Sequence, residues 1–310
     1  MDVNGGAKVS TTTTSTDNNA GKGGNITVSA NTLNLSGTNS GLFAETKGAG
    51  NAGDLTLNSY NGNDVQVNFA EGAQISASTS GSGKGGNITV SAPNSSVTLK
   101  GDGSDKGGLS ASASGEGNGG NIDINARRLE MDRATIRSEA TNSNAGDIKL
   151  TLDDRLLLRH GSLISTTAKT GNGGNITITA PSAFVVAVPY ENNDIIANAF
   201  TGNGGQITIS AYRVFGLKPQ NGQSFNTLRQ NRTSDISASS QSGIQGVINI
   251  QSLSIDPSQG LTNLPVDVAD SSRQIVNGCG ASSGTAANAQ GEFVVTGRGG
   301  LPPRPDDMQT

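Results

Sequence analysis

Eight times along this chain a tight glycine turn runs straight into a short alternating strand. The junctions are Gly23-Gly24-Asn25, Ala52-Gly53-Asp54, Gly85-Gly86-Asn87, Gly119-Gly120-Asn121, Ala145-Gly146-Asp147, Gly173-Gly174-Asn175, Gly204-Gly205-Gln206 and a degenerate eighth at Gly246-Val247. From Asn25 to Val247 they are spaced by 29, 33, 34, 26, 28, 31 and 41 residues. A unit of that size belongs to solenoids, in which no repeat buries its apolar face alone and each stacks on the next. The period favours a structural or adhesive surface over an enzyme pocket.

Strict alternation follows most junctions, as in Ile26-Thr27-Val28, Ile88-Thr89-Val90, Ile122-Asp123-Ile124, Ile176-Thr177-Ile178 and Ile207-Thr208-Ile209. Apolar residues at every second position predict a strand with one buried face and a hydrated face between. A second apolar pair follows a few residues on: Leu33 and Leu35, Val65 and Val67, Val97 and Leu99, Leu129 and Met131, Leu156 and Leu158, Val186 and Val188, Val214 and Leu217. A third stretch precedes the next glycines, as in Gln74-Ile75-Ser76-Ala77 and Leu163-Ile164-Ser165-Thr166. Three short strands per repeat predict an all-β chain, a parallel β-helix of about eight coils and about 40 Å length.

At the junctions the sequence predicts a structural turn ladder formed by Gly24 and Asn25, Gly53 and Asp54, Gly86 and Asn87, Gly120 and Asn121, Gly146 and Asp147, Gly174 and Asn175, and Gly205 and Gln206. Glycine would supply positive φ for the sharp turn, and the amides and carboxylates would stack and satisfy one another along the axis. Asp54 and Asp147 both follow Ala-Gly instead of Gly-Gly.

Hydrophobic residues make up only 32% of the chain, which suits the narrow core column of a β-helix. The net charge of −4 opposes a nucleic-acid partner, which needs clustered cations. The one basic concentration, Arg127, Arg128, Arg133 and Arg137, is interleaved with Glu130, Asp132 and Glu139 and reads as a mutually paired, solvated face. Cys279 is the single cysteine, so there is neither a disulfide framework nor a metal quartet. No run of 18 apolar residues predicts a helical membrane span.

No cofactor is expected. Gly81-Ser82-Gly83-Lys84 lacks the spacing of a phosphate loop, and the glycine motif recurs once per coil instead of every nine residues as calcium-binding repeats require. Thr27, Thr89, Thr177 and Thr208 would form an outward column that Asp123 and Lys149 interrupt.

The repeat array is read as residues 1–255, with an insertion from Tyr212 to Ser234 that accounts for the longest spacing. An insertion of this kind projects from a corner, where binding often sits. Residues 256–310 are read as an irregular Pro/Gly-rich tail. The opening Gly6-Ala7-Lys8-Val9-Ser10 parallels Gly72-Ala73-Gln74-Ile75-Ser76, so the first residues read as coil interior without a signal-peptide pattern. The chain is therefore expected to be the C-terminal piece of something longer, or to carry a start placed late.

The G-x-G-G-N-I-x-V coils resemble those of secreted exoproteins of the filamentous haemagglutinin type, the large partners of two-partner secretion systems. The tail, with Gln259-Gly260-Leu261-Thr262-Asn263-Leu264-Pro265, Gly278-Cys279 and Phe293-Val294-Val295-Thr296-Gly297-Arg298-Gly299-Gly300-Leu301-Pro302-Pro303, is similar to the ends of cyanobacterial members of that family. The resemblance covers nearly the whole chain. It implies a right-handed β-helix exported through an outer-membrane transporter and displayed or released outside the cell, with glycans, other cells or the extracellular matrix as partners. The family's N-terminal secretion domain has no counterpart in this sequence.

Parallel β-helices also carry polysaccharide lyases and hydrolases, so paired carboxylates are candidates. Asp153-Asp154 is the most suggestive pair, with Asp123, Asp147 and Glu130 nearby. Adjacent strand residues face opposite ways, which argues against a shared substrate. His160 is the only histidine, and no motif ties it to Cys279. The reading is a non-enzymatic adhesin or structural exoprotein with no catalytic, cofactor or metal residues; a polysaccharide-degrading enzyme and a purely structural stalk remain the alternatives.

Overall fold

The structure is a computed structural model that describes residues 1–252 apart from residue 18 and residues 104–106. The tail from 256 to 310, with Cys279, therefore lies outside the described residues. By internal contacts the chain divides into Met1–Ile255 and Asp256–Thr310, and the fold below is that of the first unit.

The chain winds as a parallel β-solenoid. One wide sheet of eleven strands runs in the order Asp2–Asn4, Thr32–Ser36, Gln66–Ala70, Ile88–Lys100, Ile122–Asp132, Ile148–Arg159, Ile176–Ala187, Gln206–Phe215 and Val247–Ser252, with Ile26–Ser29 paired to Leu55–Asn58 and the latter to Ile88–Lys100. A narrow sheet of nine short strands forms the second face. A column of single bridges marks the corner after it, through Thr13, Thr46, Thr79, Ala113, Ala140, Ala168, Ala199 and Ser240. These eight residues number the levels of the stack from one to eight, and the steps between them are about seven windings, as eight junctions bound seven intervals.

Three files of side chains fill the interior. Ile26, Leu55, Ile88, Ile122, Ile148, Ile176, Ile207 and Ile248 are register partners in successive levels. Leu33, Val67, Val97, Leu129, Leu156, Val185 and Val214 form the second file. The narrow sheet contributes Leu42, Ile75, Leu109, Ile136, Ile164, Ile195 and Ile236. Each buried aliphatic side chain stabilises the stack by about 1.5–3 kcal/mol, so an eight-level column holds together although few residues per winding are apolar.

Two expectations about the strands change. From level three to level seven the first and second strands fuse into one strand of 10 to 13 residues, bent by a register shift such as that between Ala126 and Arg128. At level six the inward residues are Ala183, Val185 and Ala187, not Val186 and Val188. The shift spans Thr179 to Phe184 there against Thr151 to Arg155 one level earlier, so one extra residue flips the faces beyond it.

The insertion also departs from expectation. Tyr212 to Phe215 belong to the wide sheet, and the extra segment, 216–233, folds back instead of projecting. It first lays down Leu217–Pro219, which pairs with Ser234–Ser237 on the side away from Asp194–Ile196. The helix Phe225–Gln230 then crosses the outer face of the narrow sheet. Ser224 caps it by accepting from the Thr227 N–H, and Leu228 is buried against Leu163 and Ile196 with Phe225 beside them. No helix among the described residues is long and apolar enough to cross a membrane.

Candidate functional site

The junctions build the first candidate surface. Side-chain oxygens at one level accept backbone N–H groups from the next: Asn25 from Asp54 at 2.9 Å, Asp54 from Asn87 at 2.8 Å, Asn87 from Asn121 at 3.0 Å, Asn121 from Asp147 at 2.9 Å, Asp147 from Asn175 at 2.7 Å and Asn175 from Gln206 at 3.1 Å. The rungs are side chain to backbone and need only an acceptor. Aspartate therefore serves where asparagine does.

The glycines work differently from the sequence expectation. Gly53, Gly86, Gly120, Gly146, Gly174 and Gly205 all lack positive φ. A Cβ on any of them would lie 1.9–2.2 Å from the carbonyl oxygen of the corresponding glycine one level earlier. Contact between backbones, not turn geometry, excludes a side chain. The preceding glycine is less constrained at most levels: a Cβ on Gly23, Gly85, Gly119 or Gly173 would meet its nearest atom at 2.6–2.7 Å, whereas one on Gly204 would lie 2.0 Å from the Ala238 carbonyl oxygen. This is the position that Ala52 and Ala145 occupy.

A second column, missed in the sequence, stands three residues before the junctions. Asn51, Asn118, Asn144, Asn172 and Asn203 accept backbone N–H bonds from Lys84, Asn144, Asn172, Asn203 and Ile244 at 2.8–3.2 Å. The recurrence of Asn at that offset was the available signal. The two columns and the glycine backbones line a polar trough of about 540 Å³ along levels one to five.

Of the candidate catalytic carboxylates, Asp154, Glu130 and Asp147 are engaged with cations or backbone, and Asp153 is exposed on its strand. Asp154 pairs with Arg128 and, at 3.8 Å, with Arg127, and its hydrogen bond from Arg128 holds its carboxyl below the usual range. Glu130 accepts from Arg155 Nε at 3.1 Å, and Asp147 belongs to the ladder. Asp123 shares its outward column with Thr89, Lys149 and Thr177. His160 lies between Asp132 at 3.0 Å and Glu191 at 3.4 Å. Arg159 grips Glu191 through two nitrogens at 2.8 and 2.9 Å, and this bond above all lowers the Glu191 carboxyl to about 2. The Arg127 to Arg137 cluster thus contributes Arg127, Arg128 and Arg133 to ion pairs, most of them between levels. No group of three or more His, Cys, Asp or Glu among the described residues is arranged to hold a metal ion.

Beneath the insertion the polar chemistry is buried. Asp194 is fully buried on the outward face of its strand and accepts from Arg229 Nη1 at 2.6 Å and from the Asp235 N–H at 2.9 Å. Burial pushes its carboxyl up to about 6 against the pull of Arg229. Arg229 also donates to the carbonyls of Asn192 and Gly161, which pins the helix across levels six and seven. Asp235 is also buried; its Oδ2 accepts from Asn231 and Thr233.

Between this helix and the corner column lies a cleft of about 570 Å³. Its floor is set by register. Arg137, Glu139 and Thr141 come from level five, Thr167 and Lys169 from level six, and Asn198 and Phe200 from level seven, with Phe225 and Asn226 as the far wall. Aromatic residues concentrate in the same levels: of ten in the chain, Phe184, Tyr190, Phe200, Tyr212, Phe215 and Phe225 fall between 184 and 225. Phe200 is 51% exposed and Tyr190 82%. Phe184 packs on Tyr212 at 5.3 Å and on Phe215 at 6.2 Å, an aromatic cluster on the outer face of the wide sheet. No family model, no curated protein and no solved structure matches this chain.

Proposed function

We propose that this protein is an extracellular or cell-surface adhesive exoprotein of the filamentous haemagglutinin type, with glycans as its ligands. One observation carries the reading: aromatic side chains, scarce in the chain as a whole, concentrate on the outside of levels six and seven, Phe200 and Phe225 lining a cleft and Phe184, Tyr212 and Phe215 clustering on the wide sheet. Clustered solvent-facing rings mark interaction surfaces, and rings next to amide and charged groups suit the alternating apolar and hydroxyl faces of sugars. The family resemblance supplies export through an outer-membrane transporter and display outside the cell. Repeated weak contacts along the polar troughs would add avidity.

The test is binding of the full chain to a glycan array and to intact cells. Retention that falls when Phe184 and Tyr212 are both replaced by alanine is the expected outcome. Absence of binding to every glycan and cell type would remove the adhesive reading.

A further inference from the structure

The cleft beside the insertion differs in charge from the rest of the molecule. The chain as a whole carries −4, yet the charged residues lining the cleft are Arg137, Lys169 and Glu139, a local excess of one positive charge. Glu139 is already engaged, accepting from Ser165 Oγ at 3.1 Å. Lys169 is exposed and takes part in no ion pair among the described residues. Its N–H bonds to the Ala140 carbonyl and that of Phe200 to the Ala168 carbonyl, so Lys169 and Phe200 occupy the same position on neighbouring levels, about 4.8 Å apart in backbone. An exposed ring and an exposed ammonium stand side by side, with Arg137 further along the floor and the amide of Asn226 on the opposite wall.

This juxtaposition matches one chemistry. A pyranose ring presents an apolar C–H face that stacks on an aromatic side chain, while its hydroxyls take amide hydrogen bonds. A carboxylate on that sugar would meet the ammonium one level away, and the guanidinium would take a second acidic sugar in a fork. We propose that the cleft is a subsite for a uronic acid within a longer glycan, with Phe200 stacking the ring, Lys169 pairing its carboxylate and Arg137 receiving the neighbouring one. The assignment rests on the adhesive reading above and gives it a ligand class.

The test is calorimetric titration of the full chain with an oligogalacturonate tetramer, free galacturonate and a neutral maltotetraose. The tetramer is expected to bind most tightly, free galacturonate weakly and maltotetraose least, with the preference falling as salt rises. Lys169→Ala should weaken tetramer binding about tenfold or more, as expected for losing a charge-assisted hydrogen bond, and Lys169→Arg should restore most of it. Phe200→Ala should weaken it about fivefold. Both side chains are exposed, so unfolding midpoints of the variants should match the wild type and exclude misfolding as the cause.

Equal affinity for acidic and neutral tetramers would overturn the assignment, as would wild-type affinity in both alanine variants. In those cases glycan binding survives and the adhesive reading stands without this cleft. Failure of all glycans to bind removes both. Tight binding of free galacturonate, equal to that of the tetramer, would replace the glycan subsite with a site for small organic acids.

Discussion

Levels one to five and levels six to eight are stacked by the same rules and present different surfaces. In the first group no added segment covers the narrow sheet, whose outward file runs through Ser10, Phe43, Ser76, Ser110 and Arg137, and among the described residues of these levels the exposed aromatic ring is Tyr60. In the second, an eighteen-residue segment, 216–233, covers that sheet, carries a buried ion pair and walls a cleft, and exposed rings appear on two sides. The interior files run through both groups in one register. A solenoid can therefore change its outer chemistry from one winding to the next while its core continues unaltered, because backbone stacking and side-chain display depend on alternate residues.

The largest expected effect tests whether the covered region depends on its ion pair. Arg229→Met leaves the Asp194 carboxylate buried without its cation and should cost about 3 kcal/mol, seen as early proteolysis and faster hydrogen exchange in 216–233 while levels one to five keep their protection. Loss of protection throughout would show that the two regions unfold as one. Next is the shared backbone stack: Gly86→Ala and Gly205→Ala each drive a Cβ into a carbonyl oxygen and should each cost about 2–3 kcal/mol by denaturant unfolding. Different costs in the two regions would show that the insertion relieves the crowding. Asn121→Ala removes one ladder acceptor and should cost about 1 kcal/mol, with Asn121→Asp close to neutral.

The smallest effect is in pH dependence, where Asp194 and Glu191, both within levels six to eight, oppose one another. The folded Asp194 carboxyl sits near 6, above its ordinary 3.8, so the unfolded state ionises first. Its contribution is fullest below about 4 and is lost as pH rises through 6, so the protection of the insertion, corrected for the intrinsic exchange rate, should be greater at pH 5 than at pH 7. Glu191, lowered to about 2 from 4.5, contributes above 4.5 and loses that contribution as pH falls towards 2. Asp194→Asn should flatten the first slope and leave the second.

Much of the common scaffold was legible from residues alone. The isoleucines after each junction alternate in the sequence, and the same alternation sets the longest interior file. The obligatory glycine was legible as well, but its cause was not, since contact with the previous level requires knowing which backbone atom lies there. Val186 and Val188 misled because a one-residue bulge has no composition of its own. The insertion was visible only as a long spacing. Its return over Leu163 and Ile196, and the burial of Asp194 under Arg229, depend on partners more than thirty residues away, which local patterning does not encode.

The strand Leu217–Pro219 has a consequence for how molecules of this kind meet. It is synthesised before Ser234–Ser237 yet lies outside it, so the chain itself fills the next place on that sheet. A neighbouring molecule arriving there for templated, fibre-like growth would meet a lysine and a ring nitrogen with no hydrogen to give, which are features that discourage edge-to-edge aggregation. Copies of this chain would then be discouraged from knitting together through that face.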